Sequence, residues 1–157
     1  MHSKLKPSDL LHRSKGVIQH TGVYLGNGLV FHNLPEKGVI ISSYAEFADG
    51  KEVNVTRVEL TESKFLAGRL KEIINNDSRY HLFANNCEHV AHYLITGRKM
   101  SPQIQAIVIG LIFGGVACSQ LKQENWLQWL AGGAVLGLVY ANLTAQYDYS
   151  ISPIPGN

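Results

Sequence analysis

Charge is scarce in this chain. Of its 157 residues only 17% are Asp, Glu, Lys or Arg, against roughly a quarter in an average soluble domain. The formal net charge of +2 is too small for a protein that would bind nucleic acid by neutralising phosphates. Cysteine is scarcer still. Cys87 and Cys118 stand alone, which excludes a disulfide framework and a four-cysteine zinc site. The opening MHSKLKPSDLLHRSKG is basic but leads into no apolar stretch of the kind a secretion signal carries. The thiols are therefore expected to stay reduced in the compartment where the chain is made. Long disorder is excluded as well, because 45% of the residues are hydrophobic and disorder needs low hydrophobicity with high net charge.

What charge there is sits at one end. Residues 1–99 hold 13 of the 14 Lys and Arg and 10 of the 12 Asp and Glu. Beyond Met100 only Lys122, Glu124 and Asp148 remain, around two apolar runs, Ile104 to Cys118 and Leu127 to Ala145. This pattern divides the chain into a basic, loosely ordered lead-in (1–15), a globular domain (16–100), a hydrophobic helical hairpin (101–147) and a short tail (148–157), with Ser101 and Pro102 marking the boundary. As helices the two runs span about 22 and 28 Å, against a hydrocarbon core of about 30 Å. Each contains Gly-x-x-x-Gly, Gly110 to Gly114 and Gly133 to Gly137. That spacing lets membrane helices approach closely and offers a route to oligomers. Trp126 and Trp129 fall where an interfacial aromatic belongs, and Arg98 and Lys99 precede the first run as the positive-inside rule asks. The expectation is a membrane anchor with the globular domain and the C-terminus on the cytoplasmic side. The competing reading is a buried helical hairpin of a soluble domain.

Within the globular part, Val17 to Leu25 and Leu29 to Leu34 read as a β-hairpin around Gly26-Asn27-Gly28. Val39 to Ser43 and Val53 to Leu60 read as further strands. Thr61 can cap a helix to about Asn75, with an apolar stripe through Phe65, Leu66, Leu70, Ile73 and Ile74. Tyr80 to Phe83 reads as a short strand. Asn86 can cap a second helix, Cys87 to Thr96, closed by Gly97. The predicted class is α+β with an antiparallel sheet.

Cys87 then stands at a helix start, where unpaired backbone N–H groups and the dipole favour the nucleophilic thiolate. A lone cysteine is more often an inert buried one, so the position alone does not decide. A base could come from His20 and His32, which flank the hairpin. A two-residue turn at Asn27-Gly28 would pair Val23 with His32 and set the imidazoles on opposite faces. A three-residue loop would pair Gly22 with His32 and set them diagonally on one face. In the second case one imidazole could take the thiol proton while the other holds its tautomer. Gly22 between them would leave room for the helix end. A metal reading with Cys87, Glu88, His89 and His92 is disfavoured, because the spacing does not bring the groups to one helix face. No cofactor or metal is expected. The Cys87 backbone N–H is the natural first oxyanion donor, with Gln19 and Tyr24 as further candidates.

The stretch Gln19-His20-Thr21-Gly22-Val23-Tyr24-Leu25-Gly26-Asn27-Gly28-Leu29-Val30-Phe31-His32, followed by Asn86-Cys87-Glu88-His89-Val90, resembles the two motifs of the lecithin:retinol acyltransferase-like family. The nearest likeness is to its small H-Ras-suppressor-like phospholipase/acyltransferase branch. The resemblance covers roughly Gly16 to Gln103. It implies a permuted papain-like (NlpC-like) cysteine hydrolase fold, with Cys87 as nucleophile, His20 as general base and acid, and His32 as orienting residue. It also implies a phospholipid acyl donor and transfer through a Cys thioester to water, an amine or a lysolipid. Val90 and Thr21 depart from the family's usual Phe and Trp and bear on the acyl pocket and acceptor. Two other readings compete: a cysteine peptidase or amidase of the NlpC type, and a non-catalytic membrane-associated binding module of the H-box/NC kind.

Overall fold

Asn27 and Gly28 both take positive φ, 51° and 76°, as a two-residue type I′ hairpin turn requires. They join β2 (Ile18–Gly26) to β3 (Leu29–Leu34). Gly26 pairs with Leu29 across the turn, yet Gly22 pairs with His32. The strands count unequally between these pairs, so Leu25 is the extra residue of a β-bulge. Each sequence alternative is therefore half realised: the tight turn from one, the Gly22–His32 register from the other. The bulge reconciles them.

The computed structural model describes residues 4–16, 18–35, 37–58, 65–75, 87–97, 102–122 and 124–153, with the backbone alone at Ile74, Cys87, His89 and Thr96. The expected Thr61 cap, the Tyr80–Phe83 strand and the Asn86 cap lie outside the described residues. The rest forms an α+β unit, residues 1–99 with 146–157, and a second compact unit, residues 100–145.

The first unit is built on a six-stranded antiparallel sheet in the order β4-β3-β2-β1-β5-β6. Here β1 is Leu10–Lys15, β4 Gly38–Ser43, β5 Val53–Thr56 and β6 Tyr149–Ile151. Two expectations are corrected by it. The lead-in contains β1, which sits between β2 and β5. The tail contains β6, which pairs with β5. β1 was hidden by its polar residues and β6 by its length of three residues. His12, Arg13 and Lys15 read as a basic arm, whereas in the sheet Arg13 is almost wholly covered and reaches the Asp49 carboxylate at 3.2 Å.

Strand alternation builds two cores. Leu11, Tyr24, Val30, Val53 and Val55 face one side, where they meet Tyr44 and Phe47 of the short helix α1 (Tyr44–Ala48). Ser43 caps α1 in a reciprocal box with Glu46. Val23 and Phe31 face the other side and meet Val90, Ala91, Leu94 and Ile95 of α3 (Cys87–Thr96) and Ile73 of α2 (Leu66–Asn75). Burying each such side chain is worth roughly 1.5–3 kcal/mol. Gly97 ends α3 in the left-handed region, φ 74°, and the Arg69 guanidinium of α2 donates to the carbonyls of Leu94 and Ile95 there.

The second unit is a helical hairpin of α4 (Pro102–Gln120) and α5 (Trp126–Thr144), 19 residues each. At about 1.5 Å per residue each measures about 28 Å. The first helix gathers in the polar flanks of its apolar run and so reaches the length of the second. Their mean hydropathies, 1.6 and 1.2, make both apolar enough to cross a membrane. Ile112, Phe113, Leu136 and Leu143 point outward and exposed. The glycine motifs are used within the hairpin. A Cβ at Gly110 would overlap the Gly133 carbonyl, and one at Gly133 would overlap that of Gly110. Gly114 meets the Trp129 carbonyl and Gly137 that of Ala106 in the same way. Gly132, one residue from this seam, faces open space. Gly133→Leu should therefore part the helices and lower the thermal midpoint in detergent micelles, at a cost of about 1–3 kcal/mol or more. Gly132→Leu should leave the midpoint unchanged.

Candidate active site

Gly22 opposite His32 means that His20 and His32 share one face of the β2–β3 ribbon. Their rings meet edge to face, centroids 5.1 Å apart at 83°. His20 Nε2 lies 2.9 Å from His32 Nδ1, and His32 Nε2 lies 2.9 Å from the Ser42 hydroxyl of β4. The protons can be assigned from the far end of this chain. The Ser42 hydroxyl donates its one proton to the Ser43 carbonyl at 3.2 Å, so it accepts from His32 Nε2–H. His32 Nδ1 then carries the lone pair and accepts from His20 Nε2–H. The basic atom left on His20 is Nδ1. His32 thus fixes which nitrogen of His20 carries the proton. Ser42 was not foreseen from the sequence. Its signal is the strand register, which sets His32 opposite Ile40, two residues before it.

Both imidazoles are buried, 3% and 4% exposed, and neutral at pH 7. Burial pulls His20 down to about 3, helped by His32, Arg13 and Lys15. Burial pulls His32 down to about 4, with Arg13 adding and Glu46 opposing. The Phe47 ring packs on both, stacked at 5.4 Å on His20 and edge-on at 5.3 Å to His32. Phe47 also corrects the role given to Gly22. The room that its missing side chain leaves is taken by Phe47 and Val30, whose atoms would lie 2.7 and 2.8 Å from a Cβ there, and not by a helix end.

Cys87 is the first residue of α3. Its side chain lies outside the described residues. The helix itself packs through Val90, Ala91, Leu94 and Ile95 on the Val23 and Phe31 side of the sheet, the reverse of the side that carries His20 and His32. On the α3 side lies a third imidazole that sequence reasoning missed. His12 of β1 has Nδ1 3.1 Å from the Thr21 hydroxyl and Nε2 3.4 Å from that of Thr56, and burial lowers it to about 4. Of the candidate oxyanion donors, Gln19 is on this side and accepts from the Tyr147 hydroxyl at 2.7 Å. Tyr24 is on the other, its hydroxyl accepting from the Gly28 N–H at 2.9 Å. Among the described residues no three His, Cys, Asp or Glu side chains converge as metal ligands would.

The site thus belongs to an α+β domain whose antiparallel sheet carries a hydrogen-bonded histidine pair on one face and packs a helix that starts at Cys87 on the other. Residues 3–100 match the family model described as lecithin retinol acyltransferase, and the chain belongs to that family. It is also similar to the human protein Phospholipase A and acyltransferase 3, with 24% identity over 141 residues, covering 74% of this chain and 86% of that protein.

The buried imidazoles set a pH dependence. In the unfolded chain histidine titrates near 6.5, whereas His12, His20 and His32 titrate well below that when folded. Below about pH 6.5 the unfolded state binds more protons, so stability falls with falling pH and levels off only below the folded values. The urea midpoint in nonionic detergent should be lower at pH 5 than at pH 7.5, and His20→Gln should flatten that difference.

Proposed function

We propose that this chain is a membrane-anchored acyltransferase or phospholipase A-type hydrolase that cleaves a phospholipid ester through a thioester on Cys87. The single observation that carries the reading is the His20–His32 pair, two neutral imidazoles of assigned tautomer on adjacent strands, within a chain of this family. His20 Nδ1 takes the Cys87 thiol proton as Sγ attacks the acyl carbonyl. The Cys87 backbone N–H, at the start of α3, stabilises the oxyanion. Collapse expels the lysolipid alkoxide, which takes the proton back from His20. A water, an amine or a lysolipid hydroxyl then gives its proton to His20 and its lone pair to the thioester carbonyl, and the thiol leaves reprotonated. In topology the proposal reads the domain as a permuted papain-like core, in which the histidine strands precede the cysteine helix. The α4–α5 hairpin supports anchoring. Its two ends join the same unit, so if it crosses a bilayer both ends emerge on one side, and Arg98 and Lys99 argue for the cytoplasmic one.

The mechanism makes a geometric demand. Since α3 packs on the reverse face, Cys87 has to meet His20 past the end of the sheet. Both imidazoles lie close to that end: His20 is two residues from the start of β2 and His32 two residues from the end of β3. His12, on the helix side, is the rival base. Phospholipid hydrolysis in mixed micelles separates the two. Cys87→Ser should abolish activity, and His20→Gln should lower kcat by about 10²–10⁴-fold, the usual contribution of a general base. His12→Gln should leave kcat within about threefold. Loss in His12→Gln with retention in His20→Gln would move the base to His12, and full activity in Cys87→Ser would end the thioester mechanism.

A further inference from the structure

Tyr147 stands where the chain comes back from the hairpin, between the end of α5 at Thr144 and the start of β6 at Tyr149. It is firmly held. The next residue, Asp148, donates its N–H to the Val55 carbonyl at 2.9 Å, and its carboxylate accepts from the Arg57 N–H at 2.6 Å. Tyr149 then pairs with Val55 in the sheet. From this base the Tyr147 ring lies against His12, centroids 5.4 Å apart at 45°, and its hydroxyl donates to Gln19 Oε1 at 2.7 Å. Gln19 is the residue before His20, and it belongs to the sheet face on which α3 packs. Glu88, the residue after Cys87, is near enough to add to the burial that raises the Tyr147 phenol. The Tyr147 side chain thus joins the β2 residue beside His20, through its hydroxyl, to the β1 imidazole, through its ring.

The chemistry of the contact is directional. A phenol has one proton, and here it goes to the carboxamide oxygen. That assigns Oε1 to Tyr147 and makes the Nε2 hydrogens the donating end of Gln19. A carboxamide N–H held in fixed orientation is a recurrent oxyanion donor in acyl transfer. We infer that Tyr147 is a positioning residue of the acyl-transfer site, fixing the Gln19 amide so that its Nε2 serves, with the Cys87 backbone N–H, as the second donor to the oxyanion. The inference rests on the thioester reading above and adds the residue that orients the donor. It also makes the strand after the hairpin a working part of the site.

The test uses the full chain in mixed micelles. Tyr147→Phe keeps the ring on His12 and deletes only the hydroxyl. It should lower kcat about tenfold with KM unchanged, and Gln19→Ala should lower kcat about 10²-fold or more, the usual loss for one oxyanion donor. The double variant should be no slower than Gln19→Ala alone, because the hydroxyl acts only through that amide. Wild-type kcat in Tyr147→Phe, or losses that multiply in the double variant, overturn the inference while an inactive Cys87→Ser keeps the thioester reading standing. An active Cys87→Ser ends that reading and this inference together. Should Tyr147→Phe not fold, Gln19→Ala alone decides: an unchanged kcat, or a rise in KM without a fall in kcat, rejects the role.

Discussion

The hydrogen bond between His20 and His32 depends on one inserted residue. An Asn-Gly turn by itself would set the two imidazoles on opposite sides of the ribbon, because side chains alternate along a strand. Leu25 bulges out of β2, and the register beyond it shifts by one. The shared face and the His20–His32 bond follow from that shift, and the β3–β4 register adds Ser42, which completes the relay that leaves His20 Nδ1 basic. Bulges recur beside active sites for this reason, since they re-aim side chains without breaking the sheet.

The same alternation that unites the histidines separates them from α3. The sheet has a core on each side. Phe47 closes the imidazole side and α3 closes the other. Burial between Phe47, Val30 and Arg13 keeps both rings neutral, which a proton acceptor needs, but it also lowers their basicity. An imidazole with so low a pKa is a weak base towards a thiol in water. It becomes an effective one only if the thiol is itself acidified, and a place at the start of a helix does that. The site as proposed therefore divides the work: the helix end makes the thiolate, and the histidine pair carries the proton.

How much of this was legible in the sequence depended on the range of the interaction. The β2–β3 hairpin announced itself through Asn27-Gly28, and α3 through the Gly97 that closes it. Those signals are local. The short helix α1 also had a local signal, Ser43-Tyr44-Ala45-Glu46, a capping box that was overlooked between two strand-like runs. β1 was misread for a physical reason. Its polar residues are satisfied by partners far along the chain, Arg13 by Asp49 and His12 by Thr21 and Thr56, and no composition rule shows such pairings. Gly22 was identified as a place of close approach, but which group approaches is a tertiary fact, and it is Phe47. Tyr147 was the least legible, since its partner Gln19 lies at the other end of the chain.

That last contact joins the first strands of the sheet to the segment that follows the hairpin, which the two apolar runs alone do not suggest. A helical tail attached at one end would only tether the domain. Here the chain leaves the sheet unit after α3, passes through two helices joined by a glycine seam, and returns as β6, the sixth strand. The glycines let the two backbones touch, so the seam gains dispersion contacts along its length. The return strand is fixed by the Asp148 and Arg57 bond, by pairing with β5, and by the Arg57 ion pair to Asp9 at 3.1 Å. Arg57 is thus shared between the N-terminal residues and the returning strand. Tyr147, the residue before Asp148, lies in that fixed segment and donates its hydroxyl to Gln19.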